Sequence, residues 1–283
     1  VLASGSGGLR LFVAYHTIRI PQNRWVTAEA GTVSVVGVGV INEGGIYAQD
    51  LSGGTVQSGL MGSFENTGTI ILGCGCGPAD TSMIQAQHGV RNSGLIVAGS
   101  IFAGRGYLNN AVGGELRAHY IHASDGLVNT GLLAADEIVS GLFNAGTLVA
   151  GTIRGGFSNY SLLAATEIQG GGILNQGLLV TQGATVPSLV NQAGARIENG
   201  TGQIALNLAM PDARAAALAG TPAPSGGALV LGTTRGGDLA LQTTQGGLSN
   251  AGAIEADGAA RLHATGDLAL TAGSVRAGGS LEL

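Results

Sequence analysis

The 283-residue sequence contains no lysine, and charged residues make up only 10% of it. All 12 basic residues are therefore arginines, scattered from Arg10 to Arg276, and the formal net charge is -5. Proteins that bind nucleic acid usually carry a clustered basic patch, so this charge pattern argues against a nucleic-acid partner. The absence of lysine also excludes a Walker-type phosphate-binding loop.

Aromatic residues are also scarce, at 4%, and no apolar run approaches the ~20 residues of a membrane-spanning helix. Hydrophobic residues reach 45%, which excludes intrinsic disorder, and six prolines without a Gly-X-Y period exclude collagen. No signal peptide is recognisable at Val1, so we expect a mature or excised segment. Ala, Val, Ile and Leu punctuated by 52 glycines are typical of many short strands joined by tight turns.

An Asn-x-Gly element followed by an apolar residue recurs along the chain. Its clear copies begin at Asn42, Asn66, Asn92, Asn129, Asn144, Asn175 and Asn250, and looser copies begin at Asn110, Asn159 and Asn191. From Asn110 to Asn191 the copies follow one another at short and nearly regular intervals. Upstream, from Asn42 to Asn92, the intervals are clearly longer, which indicates loop insertions.

The residues between these asparagines are also aligned. The fourth residue after the asparagine is Ile or Leu in every copy except those at Asn110 and Asn191. The sixth is mostly Ala, and the ninth is Ile in several copies. Period-two alternation places the fourth and sixth side chains on one face of a strand, and a second short strand carries the ninth. One such turn cannot bury its apolar face alone, but stacked turns can. The pattern predicts an all-β parallel β-helix with a structural ladder of Asn129, Asn144, Asn159, Asn175, Ile138, Ile153 and Ile168.

The Asn-x-Gly turns have a physical explanation. Asn tolerates a left-handed backbone, and its amide can bond locally or to its counterpart in the next turn. The following Gly is expected to supply a positive φ. Ordinary hairpin turns of a β-sandwich are the alternative, but hairpins would not preserve fixed apolar positions at such a regular spacing.

Two segments break the repeat. Residues 1–31 hold the only tryptophan, Trp25, and are predicted to cap the solenoid, with a small binding patch on Trp25 and Arg24 as the alternative. Residues 206–228 combine an Ala-rich stretch with a Pro- and Gly-rich one, which predicts a short helix and linker beside the solenoid. The solenoid itself is assigned to 32–205, with turns of about 15 to 26 residues, and to 229–283.

The last stretch repeats differently. Gly-Asp-Leu-Ala-Leu at 237–241 returns at 266–270, a variant occupies 279–283, and Asn-Ala-Gly-Ala-Ile-Glu-Ala lies between them at 250–256. This alternation resembles the repeats of filamentous haemagglutinin, which build the shafts of two-partner secretion exoproteins and contact-dependent inhibition proteins. A neighbouring group of β-helical bacterial surface proteins is the other resemblance. The resemblance to filamentous haemagglutinin implies a right-handed helix, an extracellular rod and a role in adhesion or in presenting a terminal domain.

Catalysis is a possible function because β-helices also support polysaccharide lyases and glycosidases, which need clustered carboxylates. Asp136 and Glu137 are adjacent, so a strand should point them to opposite faces. Glu137 and Glu167 match in position two turns apart, about 10 Å, which is long for an inverting pair. We interpret them as solvated surface charges and predict no enzymatic activity, no catalytic residue and no cofactor.

Metal binding is not predicted either. His119 and His122 are offset by three positions, which separates them across a strand, and Cys74 and Cys76 lack the second pair that a zinc site needs. The two cysteines lie in a Gly-rich loop and could form a strained local disulfide in an oxidising compartment.

The sequence therefore predicts a structural or adhesive β-helical shaft of a bacterial surface protein, found outside the cell. Its expected partner is an envelope protein, the surface of a host or neighbouring cell, or an extracellular polysaccharide that it holds to the envelope. Two alternatives remain open. One is a filament subunit that associates end to end, and the other is a polysaccharide-active β-helix enzyme.

Overall fold

A computed structural model describes residues 3–5, 9–13, 16–28, 33–48, 54–58, 62–73, 79–199, 202–208, 227–230, 232–243, 247–270 and 273–283. The chain divides into two compact units, Val1–Ala150 (unit 1) and Gly151–Leu283 (unit 2). The described residues contain strands, turns and bends but no helix. Among them, no helix is long and apolar enough to cross a membrane.

The strands are short, and their bounds in the first part of the chain are β1 Ala3–Gly5, β2 Leu9–Val13, β3 Ile18–Ile20, β4 Trp25–Ala28, β5 Val33–Gly37, β6 Val40–Asn42, β7 Gly45–Ala48, β8 Gly54–Ser58, β9 Phe64–Asn66, β10 Thr69–Leu72, β11 Met83–Ala86, β12 Val90–Asn92, β13 Leu95–Ala103, β14 Leu108–Asn110, β15 Glu115–Ala123, β16 Leu127–Asn129, β17 Leu132–Val139 and β18 Leu142–Asn144. The remaining strands are β19 Thr147–Arg154, β20 Phe157–Asn159, β21 Leu162–Gln169, β22 Ile173–Asn175, β23 Leu178–Val186, β24 Ser188–Asn191, β25 Arg196–Glu198, β26 Ile204–Leu208, β27 Gly227–Val230, β28 Thr233–Gly236, β29 Leu239–Thr243, β30 Leu248–Asn250, β31 Ala253–Ala256, β32 Ala260–Ala264, β33 Leu268–Leu270, β34 Ser274–Ala277 and β35 Leu281–Glu282.

Each turn of the chain contributes three strand segments. Segment 1 is a short strand that ends at the repeat asparagine in most turns, segment 2 follows it, and segment 3 completes the turn. In unit 1, segment 1 strands pair in parallel in the order β3, β6, β9, β12, β14, β16, β18. In unit 2 the order is β20, β22, β24, β27, β30, β33. Segments 2 and 3 stack in parallel in the same way. The protein is a parallel β-helix, as the sequence predicts.

The apolar core consists of columns of aligned side chains. Ile46, Ile70 and Ile96 are paired in register on successive strands, and all three are fully buried. In segment 3 the column Ile101, Ile121 is likewise in register and buried. The ladder isoleucines predicted from sequence, Ile138, Ile153 and Ile168, are all fully buried. These columns bury continuous aliphatic surface that no single turn could cover.

The ninth-position isoleucine does not lie on a separate strand in the shorter turns. In β17, for example, one strand runs through segments 2 and 3. The alternation of inward and outward side chains along β17 is interrupted at the corner between the two segments. Asp136 and Glu137 both face outward there, and the next residue, Ile138, is buried in the core. The expectation that these two acids point to opposite faces is therefore wrong, because the strand bends between the two segments.

The repeat asparagines are buried inside the solenoid and form a hydrogen-bonded ladder. In unit 1 each Nδ2 donates to the Oδ1 of the next asparagine at 2.8 Å, through Asn42, Asn66, Asn92, Asn110, Asn129 and Asn144. In unit 2 the same bond joins Asn159, Asn175 and Asn191 at 2.9 Å. These Nδ2 groups also donate to a carbonyl oxygen at the start of segment 2 in the next turn, as from Asn110 to Leu132 at 2.8 Å. Within each unit the amides therefore point the same way along the stack.

The glycine of the Asn-x-Gly element has a different role from the predicted one. Among the described residues the only positive φ outside glycine is at Asn23, and Gly68 and Gly94 are not among the glycines with positive φ. After the repeat asparagines, the positive φ is found only in the longer turns that follow Asn110 and Asn191, at Gly113 (82°) and Gly194 (81°). In the Asn-x-Gly turns, a Cβ on Gly68 would collide with the carbonyl oxygen of Gly44, and one on Gly94 with that of Gly68. Glycine is required because successive turns stack backbone against backbone at this corner.

The ladder is interrupted where apolar residues take the asparagine position. Ile20 is in register with Asn42, and Asn42 Oδ1 is buried without a hydrogen-bond partner within the described residues. In unit 2, Val230 lies between Asn191 and Asn250 in the register, and Asn191 Nδ2 donates to the carbonyl oxygen of Thr233, at 3.1 Å. The ladder is thus made of separate runs.

The strand pairing continues through the predicted boundaries of the N-terminal cap and of the excursion. Residues 1–31 contain β1 to β4, which pair in parallel with strands of the following turns, so this segment continues the solenoid. The helix predicted within 206–228 falls mainly outside the described residues, as do Cys74 and Cys76. The ends of the predicted excursion lie within solenoid strands, since β26 pairs with β29 and β27 pairs with β24.

The repeated pentapeptide occupies two different places in the turn. At 237–241 it forms segment 3 strand β29, whereas at 266–270 it forms segment 1 strand β33. The variant at 279–283 is equivalent to the first copy, since both align with β32. The two identical pentapeptides therefore do not occupy equivalent positions within their turns.

We expect Ile121→Asp to lower the free energy of unfolding by several kcal/mol, because it places an unpaired charge between the buried side chains of Ile101 and Ile138. His122→Asp, on the outward position of the same strand, should change stability by less than about 1 kcal/mol. Chemical denaturation followed by circular dichroism measures both. Equal effects of the two variants would show that the register is wrong.

Asn110→Ala removes the acceptor of Asn92 and the donor to Asn129 and Leu132. Because these groups are left buried and unpaired, we expect a loss of at least about 2 kcal/mol in unfolding free energy. Asn109→Ala is the matched control, since Asn109 is the outward neighbour on the same strand. A loss no larger than that of the control would contradict a stabilising ladder.

Ile20→Asn should be tolerated unusually well for a polar substitution at a fully buried site. The new amide would stand in register with Asn42 and could donate to its unpaired Oδ1. We expect it to cost at least about 2 kcal/mol less than Ile18→Asn, a buried position of the same strand without such an acceptor. The comparison of the two denaturation midpoints is the measurement, and a reversed order would refute the explanation.

Candidate binding surfaces

The outward face of segment 2 in unit 1 carries a strip of apolar side chains. We call Trp25, Tyr47, Ile71, Leu95 and Val97 the outer apolar strip. Tyr47, Ile71 and Val97 are in register on β7, β10 and β13, and Leu95 lies beside them two residues away on β13. At the ~4.8 Å spacing of neighbouring strands, the four strands from β4 to β13 extend the strip over about 15 Å. A contiguous, partly exposed apolar surface of this kind is typical of an interaction site.

Trp25 has a defined position at one end of the strip. It is paired with Gly45, and a Cβ on Gly45 would collide with the atoms of the indole ring. The ring therefore lies against the bare backbone of the next strand, while the residue keeps 40% of its surface exposed. A large aromatic ring held against a sheet offers contact area at low entropic cost.

An ion pair lies at the corner that leads to Trp25. The Arg19 guanidinium bonds to Glu43 in a two-pronged manner, with Nε to Oε2 at 3.2 Å and a terminal nitrogen to Oε1. This hydrogen bond lowers the pKa of the Glu43 carboxyl below its usual value and raises the pKa of Arg19. The Arg19 side chain is 62% exposed and that of Glu43 is 30% exposed, so solvent screens the pair and its contribution to the stability of the fold is small.

The strip ends at a second ion pair. Glu115 and Arg117 follow Leu95 and Val97 in the register, and Arg117 Nε donates to Glu115 Oε1 at 2.6 Å. Charged side chains on the outward face at this point separate the strip from the exposed Leu132 of the next strand. The strip therefore has one polar boundary that the structure defines.

Segment 3 of unit 1 presents a small aromatic group. The ring centroids of Phe102 and Tyr120 are 5.6 Å apart, and those of Phe102 and His122 are 6.5 Å apart. His122 Nε2 lies 3.3 Å from Ser124 Oγ, which is two residues further along the chain. The three rings make contacts typical of aromatic packing on a sheet surface.

The acidic residues considered for catalysis have ordinary surface partners. Asp136 Oδ2 lies 2.8 Å from His119 Nδ1, a contact that was not expected from the sequence. Glu137 is in register with Tyr120 on the outer face. In unit 2, Glu167 Oε1 accepts a hydrogen bond from Gln169 Nε2 at 2.6 Å. Within the described residues, no group of three or more His, Cys, Asp or Glu could hold a metal ion.

Unit 2 carries a groove along the start of segment 3. It encloses about 280 Å³ and is lined by four successive turns, whose equivalent residues are Gln203, Asp238, Ala259 and Ser280 on one side and Ala205, Ala240, Arg261 and Glu282 on the other. The short side chains of Ala205, Ala240 and Ala259 form its low part, which we call the floor, between the longer side chains of Gln203, Asp238, Arg261 and Glu282. We call this the alanine groove.

The polar groups of the alanine groove are held in place. Asp238 Oδ1 accepts a hydrogen bond from the backbone N–H of Ala259 at 2.8 Å, and Asp238 Oδ2 accepts one from Gln203 Nε2 at 3.3 Å. A Cβ on Gly258 would collide with Asp238 Oδ1, so the carboxylate lies directly against the backbone of the next turn. Across the groove Arg261 Nε bonds to Glu282 Oε2 at 2.6 Å.

The sequence predicts the buried Asn and Ile ladders, but it predicts only one residue of the outer apolar strip and none of the alanine groove. The sequence suggests a small binding patch on Trp25 and Arg24, whereas the strip joins Trp25 to residues from three later turns. The signal was present in the apolar residues at the third and fifth positions after the repeat asparagines, such as Leu95 and Val97. The alanine groove could not be read from spacing alone, because Gln203 and its equivalent Asp238 are 35 residues apart, whereas the later turns of the groove follow at 21 residues.

Similarity to known proteins adds no family assignment to this geometry. No family model, no curated protein and no solved structure matches the chain.

Proposed function

We propose that the chain is a structural and adhesive β-solenoid of a bacterial surface protein, acting outside the cell. It attaches to a cell surface, a matrix or an extracellular polysaccharide, or holds such a polymer to the envelope. The observation that carries the proposal is the outer apolar strip. Apolar side chains on a rigid, in-register sheet are available for contact with a partner rather than for the core.

The architecture supports attachment in a second way. Outward side chains recur at the ~4.8 Å strand spacing, so a partner with its own repeat meets several equivalent contacts. Weak contacts of this kind add through effective concentration and need no single dominant side chain. The resemblance of 229–283 to haemagglutinin repeats agrees with the same role.

Replacing the strip should weaken attachment. We expect the triple variant Tyr47→Ser, Ile71→Ser and Val97→Ser to bind its target surface at least about tenfold less tightly, because each apolar side chain buried in a contact contributes roughly 1.5–3 kcal/mol. The measurement is retention of the purified chain on bacterial cells, immobilised matrix proteins and immobilised polysaccharides.

The chain offers a matched control on another face. Phe143, Ile41 and Val128 occupy the outward positions of segment 1 strands in unit 1, and their change to serine removes the same kinds of side chain. This control should bind like the unchanged protein. Equal loss in both variants, or no loss in either, would overturn the assignment of the strip.

An assay for turnover separates this proposal from the enzyme alternative. The chain is incubated with the same polysaccharides, and new reducing ends are counted. Cleavage that disappears in Glu137→Gln or Glu167→Gln would replace the adhesive role by a hydrolytic one.

A further inference from the structure

We infer that the alanine groove of unit 2 binds a stretch of a neutral, linear, hydroxyl-rich polysaccharide. The inference rests on the adhesive function proposed above, for which it names a ligand class and a second site. It starts from the juxtaposition of a floor of alanines with a positioned carboxylate on one side and a positioned guanidinium on the other.

The groove is shaped for an extended chain. Ala205 and Ala240 are in register on β26 and β29, and Gly183 precedes them in the same column on β23. Ala205 and Ala240 line the groove, and Gly183 continues the row of small residues beyond it along the stacking direction. The repeat of an extended hexose chain is close to one strand spacing, so successive sugar rings could lie over successive turns.

The polar groups match hydroxyls in particular. Asp238 accepts one hydrogen bond at each carboxylate oxygen, and a carboxylate has about four acceptor positions, so acceptor capacity remains on both. Arg261 bonds to Glu282 through Nε, and its terminal nitrogens supply further donors in a fixed plane. A sugar hydroxyl both donates and accepts, so adjacent hydroxyls can satisfy Asp238 and Arg261 together.

The charge of the groove favours a neutral ligand. Asp238 and Glu282 are acidic and Arg261 is basic, so the lining of the groove carries an excess negative charge. A polyanion such as a polyuronate would be repelled by Asp238 and Glu282, which lie on two different turns of the groove. A cationic peptide would be attracted by this negative charge, but the shallow alanine floor provides no pocket for long side chains.

The test uses the full chain and a panel of neutral linear oligosaccharides of increasing length, including cello- and laminari-oligosaccharides, in calorimetric titrations. Oligogalacturonate and a cationic peptide serve as comparison ligands. We expect neutral oligosaccharides to bind with an affinity that rises with length and changes little with salt.

Two variants assign the binding to the groove. Ala240→Phe fills the floor and should weaken binding at least about tenfold, and Arg261→Gln should do so by removing charged donors. Ala253→Phe, another outward alanine of unit 2, and Arg276→Gln, another exposed arginine, are the matched controls and should bind normally. Equal binding by Ala240→Phe and Ala253→Phe would overturn the inference.

The outcomes distinguish this inference from the proposed function. If no neutral oligosaccharide binds, or if the polyuronate or peptide binds more tightly, the groove assignment fails while strip-dependent attachment can persist. If Ala240→Phe loses oligosaccharide binding but the strip variant still attaches normally, the groove stands and the role of the strip fails.

Discussion

The amide-to-amide hydrogen bond between buried asparagines is the interaction on which the alignment of the turns depends. Columns of Ile, Leu and Ala supply most of the buried apolar surface, yet apolar contact has no direction and tolerates a shift of one chain turn against another. An asparagine displaced from its neighbours would leave a buried donor and acceptor unpaired, which costs far more than the bond contributes. In unit 1 five consecutive bonds of 2.8 Å set the register from Asn42 to Asn144.

With the interior fixed in this way, the outward positions are free to differ between turns. Unit 1 uses them for apolar side chains from Trp25 to Val97, whereas unit 2 places small residues and a few charges around Ala240. Binding surfaces built on strands whose inward side chains are fully packed are held more accurately than surfaces built on loops. The same backbone can therefore present different chemistry on different turns without a change in its core.

Much of the fold could be predicted from the sequence, because buried positions must repeat wherever turns stack. The spacing of Asn129, Asn144 and Asn175 was sufficient to place them in a ladder, and the aliphatic positions between them followed. The predicted positive φ is wrong for the Asn-x-Gly glycines such as Gly68, where the turn needs a close backbone approach instead, and right for Gly113 and Gly194 of the longer turns. Outward contacts such as His119 with Asp136 were missed because no repeat constrains them. The groove depends on which turns become neighbours, and that is settled only by three-dimensional pairing.

The length of the amide hydrogen bond in the ladder does not depend on how many residues separate the two asparagines. Asn42 and Asn66 are 24 residues apart, Asn66 and Asn92 are 26 apart, and Asn129 and Asn144 are 15 apart, yet all three pairs make the same 2.8 Å bond. The strands on either side of the longer connections keep the same register, and the closure cost of a connection grows only slowly with its length. The fold is thus a scaffold that accepts insertions, so new surface loops can be acquired in evolution or grafted by design one turn at a time.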